Sequence, residues 1–299
     1  MEHPYILHFL TPSRHASPVD VNMALDAGFD AVIPYTQVTI DDVASLTQDA
    51  IFSRGPNGVK RTGIFIGGRE VDLAHEMLEA AQAAMVPPFE TSVFADPSGA
   101  YTTAAAMVAE GERLLKVSRS EGLQGAHVVV YGIGPVGACA AVLAAGAGAP
   151  VTLVSHISEL RARSVAALLQ ARFGAMIRGA SAVDSEQRRA LIRDAHVILA
   201  CGKAGVRLFG RDDLGAAREL LVAADVNAVP PEGVEGIGVM DRGKPLPAGS
   251  GRAVGIGALA IGNIKFKVQR ELFEKMRSTE RPVYLDFRDA FDLARKLSA

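Results

Sequence analysis

Short apolar runs rich in β-branched residues alternate with longer segments of helical period along almost the whole chain. The runs are Tyr5–Leu10, Ala31–Pro34, Gly63–Ile66, Ser92–Ala95, Val128–Tyr131, Val151–Val154, Val197–Ala200 and Leu220–Ala224. Runs that are apolar throughout suit strands buried on both faces, and the helical stretches between them suit crossover connections. The pattern therefore predicts the α/β class, with parallel sheets covered by helices on both sides. Helix starts are marked: Ser17 stands before Pro18, and Thr39 precedes Asp42 in a capping-box spacing with Asp in place of Glu. From about Val254 the chain reads as a long helix, with Ile261, Ile264, Phe266, Val268, Leu272 and Phe273 as a loose apolar stripe, and then a short helix ending at Leu297.

Four strand–helix pairs precede Lys116, and a second set begins at Gly125. The seam between them, KVSRSEGLQG, is polar and glycine-bounded, so the domain boundary is expected there. This gives a first domain over residues 1–120 and a second over 121–262, with the terminal helices 263–299 packing back on the first. A chain of 299 residues is long enough for two cores. With 49% hydrophobic and 21% charged residues it has an ordinary globular composition. The net charge of −2 and the lack of a basic run argue against nucleic acid as a partner. Cys139 and Cys201 lie far apart in apolar surroundings, which fits buried thiols in a reducing, cytoplasmic setting. The start, MEHPYILHFLTPSRH, lacks the pattern of a signal peptide, and Ala138–Ala149 is too short and glycine-broken to span a bilayer. A soluble protein with no membrane partner is expected.

Chemistry enters with Gly132-Ile133-Gly134-Pro135-Val136-Gly137, a G-x-G-x-x-G that follows a strand and opens an alanine-rich helix. In that context the first glycine allows a tight turn and the second allows the backbone to approach a pyrophosphate. The third allows helix and strand to pack, and the helix N-terminus favours the negative charge. The second domain is thus expected to be a Rossmann-type NAD(P)-binding domain. An acidic residue for the ribose is usual roughly 20 residues further on, but this chain has Ser155-His156. Neither repels a 2′-phosphate, and Arg161 or Arg163 could reach one, while Glu159 reads as a first-turn acid. The pocket permits NADP without demanding it, and NAD is tolerated. Cys201 and Lys203, at the end of a later strand, fall where the chain passes the ribose and nicotinamide. Lys203 either touches a phosphate or faces solvent. Asn227 is a candidate for the nicotinamide or its ribose, and Asp225 for holding a loop through backbone N–H groups.

In the first domain, Asp96, Ser98, Tyr101, Thr102 and Thr103 form the densest polar cluster, at the carboxyl end of a strand where ligands of parallel sheets bind. They could orient a polar heterocycle, although Asp96 or Ser98 could equally serve only as a helix cap. Thr11, Tyr35-Thr36 and Gly67-Gly68 are expected on the same rim. Near the C-terminus, glycines 255, 257 and 262 would let a helix approach another backbone closely, and Lys265 stands among apolar residues, either in a cleft or snorkelling to solvent. No metal-ligand, nucleophile-elbow or P-loop pattern is present in the sequence.

The stretches SPVDVNMALDAGF, SLTQDAIFSRG, RTGIFIGG, VPPFETSVFADPSGAYTTAAAMVAE, LLVAADVNAVPPEGVEGI and VGIGALAIGNIKFK carry a resemblance over nearly the whole chain. The chain resembles the NAD(P)-dependent methylene-tetrahydromethanopterin dehydrogenases of methylotrophic bacteria. The resemblance implies a cytoplasmic enzyme of one-carbon (formaldehyde) oxidation that passes a hydride from the methylene bridge of a reduced pterin to C4 of NAD or NADP. It implies a pterin held in an interdomain cleft by the first domain and the helix carrying Lys265. Lys265 and Asp96 are then the expected catalytic pair, with Ser98, Tyr101, Thr102 and Thr103 on the substrate. It also implies a homo-oligomer, a trimer or its multiple, and use of both nucleotides. The alternatives are a methylene-tetrahydrofolate dehydrogenase and a non-catalytic NAD(P)-binding protein.

Overall fold

A computed structural model describes residues 3–299. In chain order the elements are β1 (Ile6–Leu10), α1 (Pro18–Asp26), β2 (Ala31–Tyr35), α2 (Ile40–Phe52), α3 (Gly55–Val59), β3 (Thr62–Ile66), α4 (Val71–Ala83) and β4 (Ser92–Ala95). There follow α5 (Ala100–Leu115), β5 (Val128–Tyr131), α6 (Pro135–Gly146), β6 (Val151–Ser155), α7 (Glu159–Phe173), β7 (Ile177–Ser181), α8 (Ser185–Ile192) and β8 (Val197–Ala200). The chain ends with α9 (Arg211–Gly215), β9 (Val222–Asp225), β10 (Arg242–Pro245), β11 (Val254–Ile256), α10 (Ala258–Ser278), β12 (Tyr284–Leu285) and α11 (Phe287–Ser298). Each of the eight apolar runs is a strand. No helix among the described residues is long and apolar enough to cross a membrane.

The chain divides into two compact units. The first comprises the residues up to Thr102 together with Phe266–Ala290, and the second comprises Thr103–Lys265 with Phe291–Ala299. The first unit is a parallel sheet in the order β12-β4-β3-β1-β2. Its core is aromatic: Phe65 lies 4.9 Å from Phe9, 5.4 Å from Phe94 and 5.0 Å from Phe273 between ring centroids. Phe273 is delivered by α10, and removing so buried a ring costs about 3–5 kcal/mol. The marked helix starts form caps. Ser17 Oγ accepts from Asp20 N at 3.4 Å, and Asp42 Oδ2 accepts from the backbone N–H and hydroxyl of Thr39 at 2.8 and 2.6 Å.

The second unit is a seven-stranded sheet in the order β10-β11-β9-β8-β5-β6-β7, parallel except for β10. Helix α6 buries every residue from Gly137 to Ala144, as its unbroken apolar sequence requires.

Three expected boundaries differ from the observed ones. The seam does not fall at Lys116–Gly125 but inside α5, after Thr102. Glu110, with a fully buried side chain, pairs with Arg113 and, at 2.8 and 3.1 Å, with Arg242, while Leu114 sits over Gly243. These contacts fasten most of α5 to the second unit. The C-terminal segment is likewise divided rather than given whole to the first unit, because Arg295 Nε reaches Glu112 Oε2 at 2.7 Å. Val254–Ile256 is also a strand, not the start of the long helix, which begins at Ala258.

Candidate active site

In the second unit β5 lies between β6 and β8. The chain proceeds to β6 and β7 on one side and to β8 and β9 on the other. The direction of winding reverses at β5, and ligands of such sheets bind outside the carboxyl ends of the strands at that point. The glycine loop stands there. Gly132 has φ +127°, and a Cβ on it would overlap the carbonyl oxygen of Cys201. A Cβ on Gly137 would overlap the carbonyl oxygen of Gly132. Gly134 differs: it is exposed, and no atom stands within 4 Å of where its Cβ would be. Two glycines are thus fixed by packing, and the third leaves space over the start of α6. Ile133 and Val136 flank it half-buried, and Pro135 fills the first helical position, where no N–H is missed. An open backbone at a helix N-terminus fits a pyrophosphate.

At the end of β6, Ser155 is buried, and its Oγ accepts from Ile157 N at 3.2 Å and Ser158 N at 3.4 Å. These bonds form a turn that sets the course of the chain into α7. His156 and Arg161 are exposed at that strand end, and Arg163 is paired with Glu159 at 2.5 Å. Ser158 caps α7 through Arg161 N. The exposed cations beside the turn are therefore His156, if protonated, and Arg161.

Beside the glycine loop, Cys201 is half-buried with Sγ 3.7 Å from Met107 Sδ. Burial, helped by the Asp225 charge, pushes its thiol up to about 12, so it is not a nucleophile. Its contribution to the loop is its backbone carbonyl. Lys203 is exposed. Asn227 is buried, and its amide is engaged within the protein. Oδ1 accepts from Gly205 N at 3.0 Å and Val229 N at 2.9 Å, and Nδ2 donates to Pro231 O at 2.7 Å. These bonds make Asn227 a brace between the loops after β8 and β9. Asp225 holds the second of these, accepting from Asn227 N and Val234 N at 3.0 and 3.1 Å. Burial still raises its carboxyl above the ordinary range, against the lowering by those N–H groups.

In the first unit the carboxyl ends of β1 to β4 form a rim tied together by short bonds. Gln37 N donates to Ser13 O at 3.0 Å, Gly67 N to Leu10 O at 3.0 Å and Asp96 N to Ile66 O at 3.0 Å. Ser98 Oγ donates to Gly68 O at 2.7 Å. Ser98 is exposed with φ +52°, and Thr103 is half-buried. Asp96, Tyr101 and Thr102 are each 0% exposed. The Asp96 carboxylate accepts from Tyr101 N at 2.9 Å and from the Thr102 hydroxyl at 2.7 Å, and Tyr101 Oη donates to Val71 O at 3.3 Å. They set the start of α5 from beneath, and the capping alternative is the observed one. Lys265 is half-buried on α10, between buried Ile264 and exposed Phe266. Close approach holds at Gly257, where a Cβ would overlap Gly238 O, and at Gly255 against Ile237; Gly262 faces open space.

The family model for the N-terminal part of methylene-tetrahydromethanopterin dehydrogenase matches residues 18–98, from α1 to the exposed serine of the rim. The NAD(P)-dependent methylenetetrahydromethanopterin dehydrogenase of Methylorubrum extorquens is 52% identical over 97% of this chain and 97% of its own length. The chain belongs to the methylene-tetrahydromethanopterin dehydrogenase family. Within the same organism, the bifunctional protein MdtA is 32% identical over 94% of this chain and 95% of its own. Shikimate 5-dehydrogenase from Listeria monocytogenes, solved with shikimate and NAD, shares the fold at TM-score 0.55 and 13% identity, covering 92% of each chain. Quinate dehydrogenase from Corynebacterium glutamicum, solved with NAD, does so at 0.54 and 13% over 100% of each.

In this methylene-tetrahydromethanopterin dehydrogenase family member, two rim features escape the sequence. Gln37 holds φ +59°, a conformation few side chains adopt, yet no neighbouring residue type signals it. Gly67 is required because a Cβ would stand 2.6 Å from the Phe9 ring, a contact made across strands and invisible along the chain.

Proposed function

We infer that this chain is an oxidoreductase that transfers a hydride from methylene-tetrahydromethanopterin to NAD(P), leaving methenyl-tetrahydromethanopterin. The observation that carries this reading is the 52% identity with a dehydrogenase of that name over 97% of both chains. The glycine loop at the sheet's switch point is compatible with it. When bound, NAD(P) supplies the hydride acceptor at C4 of its nicotinamide.

The open backbone over Gly134 and the first turn of α6 hold the pyrophosphate. His156 and Arg161 flank the adenosine ribose, where neither excludes a 2′-phosphate and neither demands one, and this supports use of both nucleotides. Asp225 and Asn227 fix the loops after β8 and β9 beside the ribose and nicotinamide. On the pterin side, Ser98 and the strained Gln37 present polar groups at the rim of the first unit, and Asp96 sets the start of α5 below it. Hydride leaves a carbon flanked by two nitrogens that stabilise the resulting cation, so no proton need be removed. The work left to the residues is to align donor and acceptor and exclude water. Lys265 orients the pterin. Two free thiols fit a cytoplasmic protein, and a trimer or its multiple is the assembly expected from the resemblance.

The deciding assay follows methylene-tetrahydromethanopterin oxidation spectrophotometrically with NAD and NADP in parallel, and with methylene-tetrahydrofolate as a third arm. Turnover of the methanopterin substrate with either nucleotide supports the reading. Turnover confined to the folate would replace it.

A further inference from the structure

The rim described above lies at the carboxyl ends of the first unit's strands. At the opposite edge, where β1 and β3 begin, lies a cavity of about 670 Å³. Lys60, Arg61, Arg277 and Arg281 line it, with Glu280 as the acid among the lining residues. Its floor is built rather than accidental. Tyr5 is fixed by its backbone, donating to Asp30 Oδ2 at 2.7 Å and accepting from Asp30 N at 2.8 Å. Its ring carries two guanidinium groups, Arg61 at 4.8 Å and Arg277 at 4.5 Å from the centroid. Arg61 Nη1 donates to His3 O at 2.7 Å and Arg277 Nη1 to Ala27 O at 2.8 Å.

Four cations and one acid line the cavity among the described residues. Lys60, Arg277 and Arg281 have no ion pair among the described residues, and Arg277 Nε is buried without a hydrogen-bond partner. Behind them, Arg54 donates to Arg61 O at 2.9 Å and to Pro4 O at 2.8 Å, adding a cation without adding an acid. Its own pKa is lowered by burial and by the charge of Arg61, as crowded like charges require. A buried N–H donor without an acceptor, set among pre-ordered guanidinium groups, is the pattern of a site that takes an oxyanion.

We propose that this edge of the first unit is a binding site for a compact polyanion of the diphosphate class, separate from the nucleotide and pterin sites. Its ligand is recognised through phosphoryl oxygens alone, because the two guanidinium groups occupy the Tyr5 ring on which a base would otherwise stack. A single orthophosphate fills little of the cavity and meets fewer of the four cations.

The test is a calorimetric titration of inorganic pyrophosphate into the whole protein held in saturating NAD, so that the glycine loop is occupied. Orthophosphate and sulfate are run at matched ionic strength. Pyrophosphate should bind at least about tenfold more tightly than either. The double variant Lys60→Gln/Arg281→Gln, both at exposed positions, should lose at least about tenfold in pyrophosphate affinity while keeping its Tm and its turnover without added anion. Equal binding of pyrophosphate by this variant overturns the proposal. So does a native protein that binds pyrophosphate no better than sulfate.

Discussion

The three glycines of the 132–137 loop make separable demands, and a pair of alanine substitutions tests them. At Gly137 a methyl group would overlap the Gly132 carbonyl oxygen, which belongs to backbone and has no flexible side chain to yield. Gly137→Ala must therefore push α6 away from the end of β5, at a cost of about 2–4 kcal/mol. For a unit of this size that is a fall in Tm of roughly 6–12 °C. At Gly134 the same methyl group meets nothing, and φ −75° with ψ −178° suits alanine as well as glycine. Gly134→Ala loses only the mild preference for glycine at a helix N-cap, about 0.5–1 kcal/mol, or roughly 2 °C. The methyl would nevertheless stand where the pyrophosphate has to come close. Losing one such charge-assisted hydrogen bond, at about 1.5–3 kcal/mol, weakens nucleotide binding roughly 10- to 100-fold. Thermal unfolding of the free proteins and the KM for NAD and NADP measure both effects. A Gly134→Ala enzyme with an unchanged nucleotide KM would show that the pyrophosphate does not lie over that residue. A Gly137→Ala protein with native Tm would refute the packing argument.

His156→Asp should raise the ratio of kcat/KM with NAD to that with NADP, by repelling the 2′-phosphate; an unaltered ratio places that selectivity elsewhere. Lys265→Ala should depress kcat far more than it changes nucleotide KM, and unchanged turnover removes Lys265 from the site. Asp96→Ala should lower Tm, because it leaves the Thr102 hydroxyl and the amide of Tyr101 without their buried acceptor, at about 2–3 kcal/mol. Retained stability in that variant would contradict its capping role. The last concerns acid. Burial alone would raise the Glu110 carboxyl, but Arg113 and Arg242 outweigh it and hold the pKa below the usual range. A depressed folded-state pKa contributes stability above the unfolded value, about 4.3, that is lost as pH falls through the folded one. Glu110→Gln should cost about 2 kcal/mol at neutral pH and flatten the dependence of Tm on pH below about 4.3. An unchanged acid slope would rule Glu110 out as its source.

Most strands legible in the sequence are buried on both faces and have uninterrupted apolar runs; β2, half-exposed at a sheet edge, was legible from its apolar run alone. β7 was not, since at a sheet edge Ile177-Arg-Gly-Ala-Ser has no apolar run, with Arg178 exposed and Ala180 alone buried. β11 and β12 are too short to leave a pattern, and they exist only because β9 and β4 offer unpaired edges. The nucleotide loop was legible because its requirement is local, a turn and two close approaches within a few residues. The roles of Asp96, Ser155 and Asn227 were not. A polar residue at a strand end reads the same whether its side chain points to a ligand or back to the loop, and in all three it bonds to the loop. The seam was misplaced for a related reason: α5 is claimed by Arg242 and Arg295, 132 and 183 residues downstream.

The order in which the chain leaves the ribosome runs against the order in which its two sheets gain their last strands. The seven-stranded sheet has all its strands once Ile256 has been made. The five-stranded sheet begins with β1, ahead of every other described strand, yet waits for Phe273 to fill its aromatic core and for Tyr284–Leu285 to cover the edge of β4. The five-stranded sheet is therefore the later of the two to be completed, although the second unit still awaits Phe291–Ala299. Throughout elongation the five-stranded sheet presents Phe65, Phe94 and an open strand edge, the surfaces by which incomplete chains aggregate. Protection of the nascent chain is needed at the end made first.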